Sequence, residues 1–232
     1  DILINNAGIL RDRTFAKMEV GDFRRVLDVH VMGAVHATRA VWAQMQEDAR
    51  IGMLFIELGS RRRYRVNGHV AALDAAQMQV AIDEAYPNCP KYIQRRHLRA
   101  LGEIQPQPSA RVSRASALNA EALALLGQAD TLFIASGAPA GSLDASHRGG
   151  PPGFVQALGP TRLRVPDYGG NSLFNTLGNL ALDPACGLVL PDFAAGRLLH
   201  LSGTAVGPSR PARPDRRHRP LLGIRAARMD PA

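Results

Sequence analysis

Lysine and cysteine are scarce in this chain of 232 residues, and long apolar runs are missing. Two cysteines, Cys89 and Cys186, cannot make a disulfide framework or a cysteine-rich zinc site, which predicts a reducing, cytoplasmic setting. No run of about 18 apolar residues occurs, so we expect no transmembrane helix and no membrane partner. No charged-then-apolar leader opens the chain, and Asp1 starts a strand-like run, so we interpret the N-terminus as a cut end.

The positive charge comes almost wholly from arginine. Lys17 and Lys91 are the only lysines among 28 basic residues, and the formal net charge is +8. Residues 207–232 hold seven Arg and two Asp, so this segment supplies +5 of the total and the remainder is close to neutral. With abundant Ala, Gly and Pro, this composition is more typical of a GC-rich coding bias than of a nucleic-acid surface. No nucleic-acid partner is therefore predicted.

Four regions of the chain differ in residue pattern, and together they predict a mainly β protein with helices, of α+β class. Residues 1–50 run from a strand through a turn into a helix with one apolar stripe. Residues 51–104 alternate as antiparallel strands do, and residues 105–206 begin with a polar linker and continue with two helices and several strands. Residues 207–232 are rich in Pro and Arg without apolar periodicity, so we expect this segment to be disordered.

Individual elements are predicted within these regions. Ser116 is the expected N-cap of a helix that ends at Gln128. The expected strands, hairpin and further helices are Leu132–Ala135, Gly153–Leu158 with Arg162–Val165, Leu188–Leu190, Leu198–Ala205, Asn171–Leu182 and Lys91–Arg99.

One short internal repeat indicates a duplication. Gly52–Leu58 resembles Gly187–Phe193, and Asn67-Gly68 then matches Ser202-Gly203. Gly52 and Gly68 are 16 residues apart, as are Gly187 and Gly203. Each unit thus has a glycine, an apolar strand, an acidic residue and a second strand that ends in small residues, and we interpret the two as copies of one β unit.

Three polar segments could bind an anionic or heterocyclic ligand. Ser146–Gly150 places a hydroxyl, an imidazole and a guanidinium beside two glycines, which suits a phosphate, although the spacing alone favours a hairpin turn with solvated side chains. The amides and hydroxyls of Asn171–Asn179 could contact a heterocycle or cap turns. Asn88–Arg96 could close over an anion or form a solvated basic end, and for Arg61–Arg65 a solvated strand or an ion-paired turn is favoured.

Residues 1–48 resemble the middle of a short-chain dehydrogenase/reductase, most closely the hydroxyacyl-CoA dehydrogenase subgroup. The stretches that carry this resemblance are Asn5–Asp12, Val26–Gly33 and Thr38–Met45. It implies a strand-helix fragment of Rossmann type, whose Asn-Asn-Ala-Gly turn borders an NAD(P) site in that family. The glycine-rich cofactor loop is absent, no Tyr is followed four residues later by Lys, and His30 replaces the usual catalytic Asn. A working dehydrogenase is therefore excluded.

Residues 51–206 resemble the pyridoxamine 5′-phosphate oxidase-like, FMN-binding split-barrel proteins in their two-unit form. The matching stretches are Gly52–Leu58, Arg61–Gly68, Asn88–Arg96, Asp144–Val155 and Pro166–Phe193. The resemblance implies an FMN-binding split β-barrel, FMN as cofactor, a small-molecule substrate and a homodimer. The first unit starts at its Gly52 strand and lacks counterparts of residues 132–165.

The split-barrel resemblance also implies site residues. Arg148 is expected to be the main anchor of the flavin phosphate. The further residues implied at the phosphate are Ser146, His147, Gly149 and Gly150; those at the flavin ring or ribityl chain are Asn171, Asn175 and Thr176; and Lys91 and Gln94 are second contributions. No catalytic residue and no metal ligand is assigned.

The predicted organisation has four parts: a short-chain dehydrogenase-like fragment at residues 1–50, an incomplete split-barrel unit at 51–104, an FMN-binding unit at 105–206 and the tail at 207–232. This arrangement indicates a truncated or chimeric chain. The leading interpretation is an FMN-dependent oxidoreductase of unknown substrate. The alternatives are a flavin-binding module without turnover and a remnant of an NAD(P)-dependent short-chain dehydrogenase.

Overall fold

The computed structural model describes residues 49–74, 77–97, 112–141, 143–169, 174–206 and 221–231. These ranges are mostly β, as predicted, with two short helices. The elements in chain order are β1 Arg50–Glu57, β2 Arg62–Leu73, β3 Met78–Asn88, α1 Ala120–Gln128, β4 Thr131–Gly137, β5 Leu143–Gly149, β6 Gln156–Gly159, β7 Arg162–Pro166, α2 Asn175–Leu182, β8 Ala185–Asp192, β9 Arg197–Val206 and β10 Leu221–Pro231. The predicted Rossmann-type fragment lies outside the described residues.

The strands form two antiparallel sheets. The first has the order β1-β2-β3, and the second has the order β5-β4-β8-β9-β10-β7-β6. Strand β1 approaches β5 so closely that a Cβ atom on Gly52 would lie 2.8 Å from the backbone of Leu143. Only glycine permits this contact, and the contact brings the first sheet against the edge of the second. In the described part of the chain no helix is long and apolar enough to cross a membrane.

The main hydrophobic core lies in the second sheet and under helix α1. Ala122, Leu125 and Leu126 of the helix are buried among side chains from β4, β7, β8 and β9. The helix begins at Ala120 because the Asn119 side chain accepts a hydrogen bond from the Ala122 N–H at 2.8 Å, so the expected cap at Ser116 is wrong. The predicted β6–β7 hairpin and the strands β8 and β9 are confirmed.

The prediction of a disordered tail is wrong for Leu221–Pro231. This segment is strand β10, which pairs with β9 on one side and with β7 on the other. Ile224 is 3% exposed and belongs to the core. The composition of the whole tail obscured one short strand, which is stabilised by backbone hydrogen bonds to two neighbours rather than by its own periodicity.

A second correction concerns residues 91–97, which form a turn at Lys91 and Tyr92 and then run without regular secondary structure, rather than as a helix. Ile93 is buried, Gln94 donates to the Gly150 carbonyl at 3.3 Å, and Arg96 binds both carboxylate oxygens of Asp130 at 2.6 and 2.7 Å. These contacts spread along the segment and attach it to the second sheet, which a local helix would not allow.

The internal repeat extends to the register of the strands. Gly52 pairs with Asn67 in the β1–β2 hairpin, and Gly187 pairs with Ser202 in the β8–β9 hairpin. Adding 135 to both numbers of each β1–β2 pair reproduces the β8–β9 pairing from end to end. The two turns agree as well, because Arg61 and its counterpart Gly196 both have positive φ, 62° and 67°.

The third strand of each unit also corresponds. The pairing of β2 with β3 shifts between Asn67 and Gly68, where one residue of β3 bulges. The pairing of β9 with β10 shifts at the matching place, between the partners of Ser202 and Gly203. Bulges are specific features of a fold, so the shared bulge makes β10 the counterpart of β3. The first unit is thus β1–β3, and its copy is β8–β10.

Candidate functional site

The site lies where β2 of the first sheet faces β5 of the second. Side chains alternate along a strand, so Arg63 and Arg65 share one face of β2 and Tyr64 and Val66 share the other. Both arginines reach residues of β5 that are about 80 positions away in sequence. The result is a polar cluster between β2 and β5.

Arg65 is held in a buried network. Its Nη1 donates to Asp144 Oδ1 at 2.8 Å, and its Nη2 donates to Ser146 Oγ at 2.5 Å. Thr176 Oγ1 donates to the other carboxylate oxygen of Asp144 at 2.8 Å. Asp144, Ser146 and Thr176 are each 2% exposed. Arg65 therefore has its counter-charge within the protein, and this network fixes the first sheet to β5.

Arg63 has a different environment. Its Nη1 lies 3.3 Å from both the carbonyl oxygen and Nδ1 of His147, and its Nη2 donates to the Cys89 carbonyl. Among the described residues no carboxylate lies within 4.0 Å of its guanidinium. The pKa of Arg63 is lowered to about 10, first by burial and then by the charges of Arg65 and Arg148.

His147 is buried beside these arginines and is 3% exposed. Its pKa is lowered to about 3, mainly by burial and further by the charges of Arg63, Arg148 and Arg96. The ring is therefore neutral at physiological pH and packs edge-on against Phe133, with centroids 5.7 Å apart. In this neutral state it adds no positive charge to the cluster.

Three of the predicted polar site residues, Ser146, His147 and Arg148, lie on β5, and Arg148 is the most exposed of them. Its side chain is 28% exposed, and its Nη1 lies 3.5 Å from Asp167 Oδ1. Burial lowers the pKa of Arg148, and Asp167 opposes that shift. The guanidinium thus combines a loose ion pair with access from outside.

The two glycines after Arg148 serve close packing. A Cβ on Gly149 would lie 2.0 Å from the Tyr92 carbonyl oxygen, and a Cβ on Gly150 would lie 2.7 Å from Phe154 Cβ. Tyr92 itself stacks on Tyr168 with ring centroids 4.9 Å apart and donates to the Gly169 carbonyl at 3.1 Å. Gly149 therefore lets residues 91–97 lie directly against the end of β5, and Gly150 makes room for Phe154.

The other predicted site residues occupy varied positions. Asn175 donates from Nδ2 to the Tyr86 hydroxyl at 2.8 Å, which brings helix α2 to the first sheet. Gln94 contacts the end of β5, whereas Lys91 is exposed. Asn171 lies outside the described residues. The structure thus brings Ser146, His147, Arg148, Gln94, Asn175 and Thr176 to the surroundings of β5.

A cavity of about 270 Å³ adjoins the glycine turn. Its lining consists of Pro151, Pro152, Gly153, Phe154, Gln156, Arg164, Pro166 and Tyr168. Tyr168 of the lining follows Asp167, the partner of Arg148, whereas Arg63, Arg65 and Arg148 do not line the cavity. Three prolines, two aromatic side chains and one arginine form most of this lining.

Sequence reasoning missed Arg63 and Arg65, which it assigned to a solvated strand or turn. Arg61 and Arg62 are exposed as that interpretation requires, whereas Arg65 is 7% exposed. The alternation of Arg63 and Arg65 with Tyr64 and Val66 was the available signal, because it places both guanidinium groups on one face. It could not show which face is covered.

The family model for short chain dehydrogenase matches residues 1–60 of this chain. The chain is 54% identical over 46 residues to the peroxisomal hydratase-dehydrogenase-epimerase of Saccharomyces cerevisiae, which is 20% of this chain and 5% of that protein. It is 57% identical over 47 residues to peroxisomal multifunctional enzyme A of Dictyostelium discoideum, 20% and 11% of the two chains. The chain thus spans a small part of these relatives.

Solved structures similar to this chain include a putative pyridoxamine 5′-phosphate oxidase from Lactobacillus delbrueckii, with 13% identity and a TM-score of 0.41 over 50% of this chain and 94% of the other. An F420 reductase matches with 17% identity and a TM-score of 0.33 over 44% and 90% of the two chains. The resemblance of the first 48 residues to short-chain dehydrogenases is confirmed by the family match, which continues to residue 60 and so takes in β1.

Proposed function

We propose that residues 50–231 form an FMN-binding module of oxidoreductase type with a split-barrel arrangement. The cationic cluster of Arg63, Arg65 and Arg148 around β5 is the observation that carries this proposal. Among the described residues, the acidic partners of this cluster are only Asp144 and Asp167. Because His147 is neutral there, the cluster retains a net positive charge that a phosphate group would neutralise.

The residues present fit the phosphate end of FMN. Arg63 Nε, Arg65 Nε and His147 Nε2 are buried without a hydrogen-bond partner in the described part of the chain. Buried nitrogen atoms of this kind cost free energy unless a ligand or water satisfies them. The Arg148 side chain is 28% exposed, while Ser146 accepts a hydrogen bond from Arg65 and holds that guanidinium in place.

The remaining site residues would contact the other parts of the cofactor. We assign Asn171, Asn175 and Thr176 to the flavin ring or ribityl chain, and Lys91 and Gln94 to a second contribution from the first unit. Gly149 and Gly150 let this second segment approach. When bound, the flavin supplies the redox chemistry, and the protein supplies binding and orientation.

Titration of the apoprotein with FMN tests the proposal. Arg148→Ala should weaken FMN binding by about tenfold to a hundredfold, because a charge-assisted hydrogen bond contributes roughly 1.5–3 kcal/mol. Arg62→Ala is the matched control, because Arg62 is exposed and lies in the basic run of residues 61–65. Equal FMN affinities for the wild type and Arg148→Ala would contradict the site assignment.

Turnover separates the two flavin-based functions. Oxidation of a reduced nicotinamide by the FMN-loaded protein would support an oxidoreductase of still unknown substrate, and binding without turnover would support a flavin-binding module. We also propose a homodimer, since Phe55, Tyr64 and Ile82 of the first sheet are apolar and 44–61% exposed. Sedimentation at several protein concentrations would test it.

A further inference from the structure

Strand β3 is the outer strand of the first sheet, whereas its counterpart β10 is an inner strand of the second sheet. In the described ranges β3 pairs only with β2, and β10 lies between β9 and β7. The outer edge of β3 therefore presents backbone N–H and C=O groups at the place where β10 pairs with β7. An edge of this kind is a template for a further strand.

The pairing within the two units shows which parts of the two edges correspond. Ala81 pairs with His69 in the first unit, and Arg225 pairs with Thr204 at the equivalent place in the second. Residue numbers in β3 and β10 thus differ by 144, so residues 78–81 correspond to residues 222–225. The latter pair with the β7 residues 165 to 162. The stretch of β3 without a described partner is thus the stretch whose counterpart has one.

The two halves of β3 differ in the features that normally protect an edge strand. Charged residues, proline and bulges discourage pairing with another chain. In β3 these features are Glu84, Pro87 and the bulged residue Asp83, and all of them follow Ile82. Residues 78–81 contain no proline and no charged residue. The half of the edge that corresponds to the β7-paired part of β10 is therefore the half without protection.

We propose that residues 78–81 bind an extended segment of another protein, which joins the first sheet as a strand antiparallel to β3. In this mode main-chain hydrogen bonds supply the affinity, and alternate side chains supply the specificity. The partner should have the chemistry of β7, in which the buried Leu163 and Val165 alternate with Arg162 and Arg164. Basic side chains suit β3, because this strand has two acidic residues and no basic one.

The apolar side chains of the partner would extend an apolar face of the first sheet. Leu163 of β7 lies opposite the counterpart of Val80, and Val80 itself pairs with Val70. Val70 is 7% exposed, Val80 is half-buried, and Ile82 on the same face is 61% exposed. An apolar side chain opposite Val80 would remove more of this face from water, which favours binding.

Strand addition here goes beyond the proposed flavin binding and does not depend on it. Residues 78–81 pair with residues 69–73 of β2, whereas Arg63 and Arg65 lie at the other end of that strand. Loss of flavin binding would therefore leave this edge intact, and a failure of strand addition would leave the flavin proposal untouched.

A synthetic peptide of residues 160–168, which contains the β7 sequence, is the probe, and amide hydrogen exchange of the full chain is the measurement. The peptide should slow exchange at residues 78–81 and leave exchange in β10 unchanged. The matched control peptide has proline at positions 163 and 164, which removes one donor on each edge of the strand, and it should have no effect. Unchanged exchange at residues 78–81, or faster exchange in β10 because the peptide displaces β7, would overturn the proposal.

The charge at Ala81 tests the register, since Arg162 of the peptide should lie opposite this residue. Fluorescence anisotropy of the labelled peptide should show that Ala81→Glu tightens binding about two- to fivefold and that Ala81→Lys weakens it by a similar factor. Ala85→Lys is the control and should bind as the wild type does, because Ala85 is an exposed residue of β3 outside the binding stretch. Equal affinities for Ala81→Glu and Ala81→Lys would refute the register and with it the proposal.

Two further outcomes are decided by the wild type. If the Ala81 variants do not fold, the exchange experiment on the wild type decides alone. If residues 78–81 are protected without peptide at high protein concentration and lose this protection on dilution, a second copy of the chain occupies the edge, and the proposal is overturned.

Discussion

The two three-stranded units, β1–β3 and β8–β10, have the same backbone pairing and opposite surroundings. Phe55 is 57% exposed, whereas its counterpart Leu190 is 0% exposed. Tyr64 is 44% exposed, and its counterpart Leu199 is 2% exposed. The core cluster that encloses the two leucines contains no residue of β1–β3. Register and turn therefore belong to the unit itself, and burial belongs to what packs over it.

The opposite faces of the two units differ in chemistry. Arg63 and Arg65 of β2 occupy the positions that Leu198 and His200 occupy in β9. Both arginines contact β5, so two of the three cations of the cluster come from the first unit, and the third, Arg148, lies on β5 itself. The two units share a strand register, and two side chains on one face distinguish the unit that carries the candidate site.

Of all the changes considered, removal of β10 should lower the stability of the protein most. A chain that ends at residue 220 loses the strand between β9 and β7, which leaves two unpaired strand edges and exposes the surroundings of Ile224. We expect cooperative thermal unfolding, followed by circular dichroism, to be lost. If the truncated chain cannot be purified, Ile224→Ala should cost about 2–4 kcal/mol. An unchanged melting temperature in both variants would restore the disordered-tail prediction.

Truncation of matched apolar side chains should separate the two units next. Leu190→Ala should lower the free energy of unfolding by about 2–5 kcal/mol, because it leaves a cavity in a packed core. Phe55→Ala, at the equivalent position, should change it by about 0.5 kcal/mol, as exposed substitutions do. Urea titration measures both. Similar losses in the two variants would mean that the face of β1 is as well packed as that of β8.

The pH dependence of stability should reveal the asymmetry of the polar faces. The pKa of His147 in the folded protein is about 3, below its ordinary value near 6.5. The unfolded chain therefore binds a proton that the folded chain does not, so stability falls as the pH falls from about 6.5 towards 3. The loss should be about 2 kcal/mol between pH 6.5 and 5.

Urea titrations at several pH values would measure that loss in the wild type and in His147→Gln. The variant should have a flatter profile over this window. His97→Gln, which changes an exposed histidine, should keep the profile of the wild type. Parallel profiles for the wild type and His147→Gln would contradict the burial of a neutral imidazole.

The smallest expected effect concerns the two hairpin turns. Gly196→Ala should cost about 1 kcal/mol from backbone strain, because φ is 67° and an added Cβ would meet no atom within 4 Å. Arg61→Gly should raise stability by about 0.5 kcal/mol, since Arg61 has φ of 62° in the equivalent turn. Melting temperatures that move in the same direction for both variants would show that the turns are not equivalent.

Much of the fold could be predicted from local patterns. The alternation in β2 and the glycine spacing of the repeat predicted antiparallel hairpins, and the two hairpins pair in the same register. Ser146, His147 and Arg148 were singled out because three polar groups precede two glycines, and they do lie on β5 against the first sheet. Arg63 and Arg65 were missed because an exposed arginine and a buried one have the same local sequence signal.

The amino-acid sequence by itself determined the strand periodicity, the hairpin turns and the repeat, because these depend on neighbouring residues and on the spacing of glycines. Only the tertiary structure decided that β10 fills the gap between β9 and β7, and that Arg63 meets His147 across 84 positions of sequence. The physical reason is that burial and charge balance depend on which distant strands pack together. The two β units therefore share one strand register and differ in what packs against them.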